Sequence, residues 1–198
     1  MEMDLCGHAT LAAAHAIKEI RKHQGNKILF ETNSGDLEVL VENGVYTLNF
    51  PIRTPEPAEM PELLKNSLNI QPLEVLKARD FVLVYDKEED VKNIDINRLH
   101  FDKLELGTGG VIVTAPGKEV DFVSRFFTPG ASVFEDPVTG SAHCSLIPYW
   151  SSKLNKTHLN ARQISPRGGS LGCKLLGDRV AISGHARTYS IGKLFTED

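Results

Sequence analysis

The spacing of apolar residues changes period several times along this chain, and each change marks an element. Leu11 to Ile20 is Ala-rich with apolar residues on most faces, the pattern of a buried helix. A basic last turn, Lys18, Arg21 and Lys22, suits the helix dipole, and Gly25-Asn26 ends it. Alternation then takes over in "KILFET", "DLEVLVE" and "VYTLNF", which read as three strands. Ser34-Gly35 and Asn43-Gly44 join them, and the Asn-Gly pair is a strong type I′ hairpin signal.

The stretch "PIRTPEPAEMP", from Pro51 to Pro61, breaks the alternation with prolines and acids and reads as a linker. A short helix, Glu62 to Leu68, follows it. Beyond Leu73, "ARDFVLVYD" is a strand, "KEEDVKNI" a short acidic helix, and "GGVIVTAPG" a continuous apolar strand. "DFVSRFF" is another strand, and "EDPVTGSAHCSLIPYW" leads into a second helix. "ARQIS", "SLGCKLL", "RVAISG" and "RTYSIGKL" read as four short strands with glycine turns between them.

The element order repeats. Each part has a step ending in Gly-x-Ala, then a helix, then an antiparallel meander. Gly7-His8-Ala9-Thr10 and Gly140-Ser141-Ala142-His143 are the two steps. The expected fold class is α+β, with two similar units at 1–72 and 73–198, each a mostly antiparallel sheet around a central helix.

Composition narrows the function. With 198 residues, 41% hydrophobic and 24% charged, the chain has the make-up of a globular protein. A net charge of −4 offers nucleic acid or an anionic membrane no attraction. No apolar run approaches the roughly 20 residues that span a bilayer. Cys6, Cys144 and Cys173 are too scattered for a disulfide framework, so a cytoplasmic, reducing location is expected. His15, His143 and His185 lack ligand spacing, so no metal is expected. No Gly-x-Ser-x-Gly elbow is present, and "RGGSLG" reads as a turn bounding a strand rather than a dinucleotide fingerprint.

The two Gly-led steps carry the candidate chemistry. A helix N-terminus presents unsatisfied N–H groups and the positive end of the dipole, so it binds carboxylate or phosphate. Gly140 admits close approach and Ser141 adds a hydroxyl; alternatively Ser141 or Thr139 simply caps the helix. Asp136 is either a plain turn residue before Pro137 or a carboxylate handling a substrate proton. His8 is either a satisfied structural histidine or a general acid/base. A third option is a thiol-dependent racemase using Cys6, although the other cysteines do not complete a two-thiol pair.

Together, "DLCGHATLAAAHA", "GVIVTAPG", "DFVSRFFTPG", "EDPVTGSAH", "PYW", "ARQISPRGG" and "GDRVAISGHA" resemble the phenazine-biosynthesis (PhzF-like) family along essentially the whole chain. The resemblance implies the diaminopimelate-epimerase fold, with two helix N-termini facing one cleft. It implies a cofactor-independent isomerase that abstracts and returns a proton on a small acidic substrate. Asp136 and His8 would be catalytic, and Gly7, Gly140 and Ser141 would bind the substrate.

Family members carry a further stretch ahead of the Cys-Gly-His-Ala-Thr motif, with the first strands and a glutamate acid/base. Residues 1 to 7 do not supply it, and Glu2 stands too close to the motif. The first unit is therefore expected to be incomplete, and two readings stand, an isomerase weakened or silenced by that loss and a non-catalytic binding or structural remnant. Missing strands would expose edges and apolar surface, so a homodimer is expected.

Overall fold

Asn43 and Gly44 take φ values of 51° and 78°, the left-handed pair that a type I′ turn requires. They close the hairpin of β2 (Gly35–Glu42) and β3 (Val45–Pro51), and β1 (Lys27–Thr32) pairs on the other side of β2. The computed structural model describes residues 5–33, 35–193 and 195; Glu2 and Ser34 lie outside them.

Helix α1 (Gly7–His15) precedes this meander and continues as a wider π turn over Ala16–Ile20. The expectation of a buried helix needs correction. Gly7 and Ala14 are buried, but Ala9, Ala12 and Ala13 are exposed. Among the described residues, β3 and the helix α5 (Gly140–Leu154) are the elements that cover α1, and they reach one flank only.

The linker contributes β4 (Glu56–Pro57), which pairs with β5 (Glu74–Lys77) across position 72. Helices α2 (Glu62–Lys65), α3 (Glu88–Lys92) and α4 (Arg98–Phe101) cover one face of β6 (Phe81–Val84), β7 (Val111–Pro116) and β8 (Phe122–Phe127). The other face of these strands meets α5. Phe81 and Leu83 join the α2–α4 core while Val82 and Val84 join the α5 core. Burial on both faces is why "FVLV" and "VIVTA" are unbroken apolar runs.

A two-residue strand, β9 (Glu135–Asp136), hangs on β8 just before α5. After α5 come β10 (His158–Gln163), β11 (Gly169–Leu176) and β12 (Arg179–Gly184), an antiparallel meander as expected. The described strands form one sheet in the order β1-β2-β3-β12-β11-β10-β8-β7-β6-β5-β4, with β9 off this path beside β8. It is mostly antiparallel, with parallel pairing of β6 to β7 and of β8 to β10. The fold is mixed α+β, as the sequence pattern indicates. The fourth strand expected in "RTYSIGKL" does not form over residues 187–193. Among the described residues no neighbouring strand takes up its backbone, and Tyr189 is 100% exposed.

The helix-plus-meander repeat is real. One shift in numbering carries Gly35–Glu42 onto Gly169–Leu176 and Leu48 onto Ile182. Leu48 and Ile182 are paired with each other in the antiparallel contact of β3 with β12. Third strand against third strand, centred on equivalent residues, is the signature of an approximate two-fold axis between the repeats.

Helix α5 holds Pro148 in its interior. Proline lacks the N–H that would bond the Cys144 carbonyl four residues earlier. The Arg53 N–H, from the segment after β3, takes that carbonyl at 2.9 Å.

Candidate active site

The approximate two-fold brings the N-termini of α1 and α5 together at Gly7 and Gly140. Phe50 from β3, fully buried, lies beneath both glycines. Among the described residues neither helix has an acidic residue in its first turn or a side-chain cap. Their first-turn N–H groups and dipoles are therefore not taken up by a side chain of these residues and are available to an anion. The capping reading is corrected here. Thr139 is the N-cap residue of α5, but its hydroxyl donates to Asp136 Oδ2 instead.

Asp136 is held from three directions. Strand β9 pairs Asp136 with Phe126 of β8. Its neighbour Glu135 receives a two-pronged pair from Arg125, Nε–Oε1 2.7 Å and Nη2–Oε2 2.9 Å. Gln163, only 1% exposed, donates from Nε2 to the Asp136 carbonyl at 2.7 Å and to Thr139 Oγ1 at 3.2 Å. Its Oε1 accepts the Thr139 N–H at 2.7 Å. Because Gln163 donates to Thr139 Oγ1, the Thr139 proton is left for the carboxylate.

A cavity of about 400 Å³ opens at this point. Gly7, His8, Asp136, Gly140 and Ser141 all line it, so the structure brings all five sequence-derived candidates together. Cys6 and Arg79 line it too. A second cavity, of about 380 Å³, shares Gly7, His8 and Gly140 and continues along Arg167, Gly168 and His185. "RGGSLG" forms its wall as the turn into β11, with Gly168 at φ 66°.

The remaining histidine and cysteine candidates have structural surroundings. His143 is fully buried, its Nδ1–H donating to the Thr139 carbonyl at 2.8 Å. Burial pushes its pKa down to about 4, the Thr139 contact opposing that shift. His15 bridges the Tyr46 hydroxyl and Thr188 Oγ1, both at 2.9 Å. Burial pushes the Cys144 and Cys173 thiols up to about 12. Cys6 is an exposed thiol at the cavity. Among the described residues no three His, Cys, Asp or Glu side chains cluster as a metal site.

Sequence reasoning missed Gln163 and Arg79. The signal for Gln163 was available: Leu159, Ala161 and Gln163 alternate on the buried face of β10, so an amide stood in a core position.

An α+β sheet with two facing helix N-termini at one cavity defines a fold class with solved members. A phenazine biosynthesis protein of the PhzF family from Enterococcus faecalis superposes with a TM-score of 0.91 at 42% identity, covering 98% of this chain and 75% of that one. The phenazine biosynthesis-like protein family, PhzC-PhzF, matches residues 1–192, and this chain belongs to it. Two proteins of Pseudomonas aeruginosa, each named an uncharacterized isomerase, are 46% and 44% identical. Each alignment covers 98% of this chain and 74% of the relative. No helix among the described residues is long and apolar enough to cross a membrane.

Proposed function

We propose that this chain is a cofactor-independent acid–base isomerase of a small carboxylate-bearing metabolite. One observation carries the reading. Asp136 and His8, from distant segments, line one cavity whose floor is the two uncapped helix N-termini. The relatives named isomerases support the reaction class. In this reading the helix N–H groups and Ser141 hold the substrate carboxylate. Asp136, fastened by Thr139 and Gln163, takes or returns the proton, and His8 assists across the cavity. Negative charge that develops on the substrate as the C–H bond breaks is stabilised by the same preorganised N–H groups.

The test is deuterium wash-in, followed by NMR, over a panel of small carboxylic acids in D₂O. The expected result is exchange at one C–H position in one acid class, with Asp136→Asn reducing it about 10²- to 10⁴-fold. Binding without exchange would overturn the isomerase reading and leave a ligand-binding protein.

Association into a homodimer in the cytoplasm belongs to the same proposal. Among the described residues β1 ends the sheet order, and α1 exposes Ala9, Ala12 and Ala13. The three cysteines are free, which suits a reducing compartment. Light scattering should report a dimer at micromolar concentration; a clean monomer overturns that part.

A further inference from the structure

We infer that Arg79 gives the cavity its preference for carboxylates, by holding Ser141 as a hydroxyl donor toward the substrate. The inference rests on the carboxylate reading above and adds a residue from outside both helix starts.

Arg79 stands in the turn between β5 and β6, far in sequence from α5. Its Nε reaches Asp80 Oδ1 at 3.1 Å and its Nη2 reaches Asp80 Oδ2 at 2.8 Å. Asp80 is 0% exposed, and its Oδ1 also accepts the Gly110 N–H at 2.8 Å. A fully buried carboxylate anchored to a backbone amide is a fixed post. The guanidinium fork on it cannot swing as a surface arginine does.

From that post, Arg79 Nη2 donates to Ser141 Oγ at 3.1 Å. A guanidinium has only donors, so Ser141 accepts in this contact and its own proton must go elsewhere. A helical serine commonly returns its proton to the carbonyl four residues back. For Ser141 that carbonyl is Pro137, which already accepts from Ser165 Oγ at 2.7 Å. Among the described residues no acceptor takes the Ser141 proton, and Ser141 lines the cavity. The hydroxyl is thus turned toward the ligand as a donor.

The recognition that follows at the Ser141 end of the cavity is by donors, the Asp136 carboxylate on the same cavity being the acceptor kept for the substrate proton. Ser141 O–H and the first N–H groups of α5 present hydrogens and no lone pairs to the ligand head. A carboxylate, which has two accepting oxygens, satisfies such a wall. A carboxamide of the same shape brings its own NH₂ against a donor and is rejected. Asp80 neutralises Arg79, so selection comes from directed hydrogen bonds rather than from excess positive charge.

The experiment uses benzoate and benzamide as probes of matched shape, titrated into the ¹⁵N-labelled protein by NMR at low ionic strength. The quantity read is the ratio of the two dissociation constants. The wild type is expected to prefer benzoate, and Arg79→Gln and Ser141→Ala are each expected to cut that preference about tenfold. The double variant should be no worse than either single one, because both act on one hydroxyl. Arg79→Lys should fall between, since an ammonium lacks the fork. Equal weakening of both probes in Arg79→Gln would mark a merely structural role and overturn the inference. A preference that survives Arg79→Gln, or losses that multiply in the double variant, would overturn it too. If Arg79→Gln does not fold, Ser141→Ala decides: an unchanged preference sinks the proposal. A wild type that binds the two probes equally overturns the carboxylate reading itself, a result distinct from charge preference that persists without Arg79.

Discussion

Gly7 and Gly140 meet backbone to backbone. A Cβ on Gly7 would stand 3.1 Å from the Gly140 Cα, and a Cβ on Gly140 would stand 3.2 Å from the Gly7 Cα. The reciprocity follows from the approximate two-fold that also centres the β3–β12 pairing on Leu48 and Ile182. Both helix N-termini can therefore address one ligand only because both positions are glycine.

Gly140→Ala is expected to destabilise the chain despite alanine's better helix propensity. Propensity contributes at most about 1 kcal/mol in its favour. Overpacking against a backbone atom costs about 1–3 kcal/mol. Backbone cannot give way as the end of a side chain can, so the net effect is a loss. Calorimetry should show Tm falling by roughly 2–4 °C for each kcal/mol lost; an unchanged or higher Tm contradicts the contact.

Gln163→Met keeps the side-chain volume but removes the amide that fastens Thr139 and Asp136. Leaving the buried Thr139 N–H without its acceptor costs about 1–3 kcal/mol. Hydrogen exchange should show the Thr139 amide losing protection, and C–H wash-in should fall with it. Retained Thr139 protection would mean the amide is not the anchor.

His143 makes stability depend on pH. Its native pKa, pushed down to about 4 by burial, lies below the roughly 6.5 of an unfolded histidine. Between these values the unfolded chain binds the extra proton, so stability rises with pH through the window. The contribution is complete above about pH 6.5 and is lost as pH falls toward 4, on the order of 3 kcal/mol in all. Urea midpoints measured from pH 7 to pH 4 should fall less steeply in His143→Leu than in the wild type. Parallel curves would show that His143 titrates normally.

Iodoacetamide should label Cys6 in the native protein and leave Cys144 and Cys173 unmodified, because the thiolate is the reactive form and burial suppresses it in the latter two. Because Cys6 lines the cavity, bound benzoate should slow its labelling, as peptide mass spectrometry can measure. Labelling that ignores the ligand would place the binding site elsewhere.

Much of this was legible in the sequence because it rests on local rules. Asn43-Gly44 announces its turn through backbone sterics, and the two Gly-led steps announce helix starts. The parts that were not legible depend on distance or on brevity. Strands β4 and β9 are two residues each, too short to show a period, yet β9 aims Asp136. "ARDF" reads as the start of a strand, and only folding turns Asp80 inward and carries Arg79 to Ser141. "RTYSIGKL" has a strand's composition, but a strand needs a neighbour and composition does not provide one. The Ala-rich face of α1 signals a capacity for burial, whereas actual burial depends on what packs against it.

Pro148 has a kinetic consequence. An uninterrupted helix can close all its internal hydrogen bonds by itself, within microseconds and before any tertiary contact. Helix α5 cannot, because the Cys144 carbonyl waits for the amide of Arg53, which arrives only when the segment after β3 has docked. The last bond of the central helix is thus a contact of long sequence separation, whose loop-closure entropy must be met before it forms. Assembly of the two repeats and completion of the helix become one event, so α5 reaches its final form only as the sheet beside it closes.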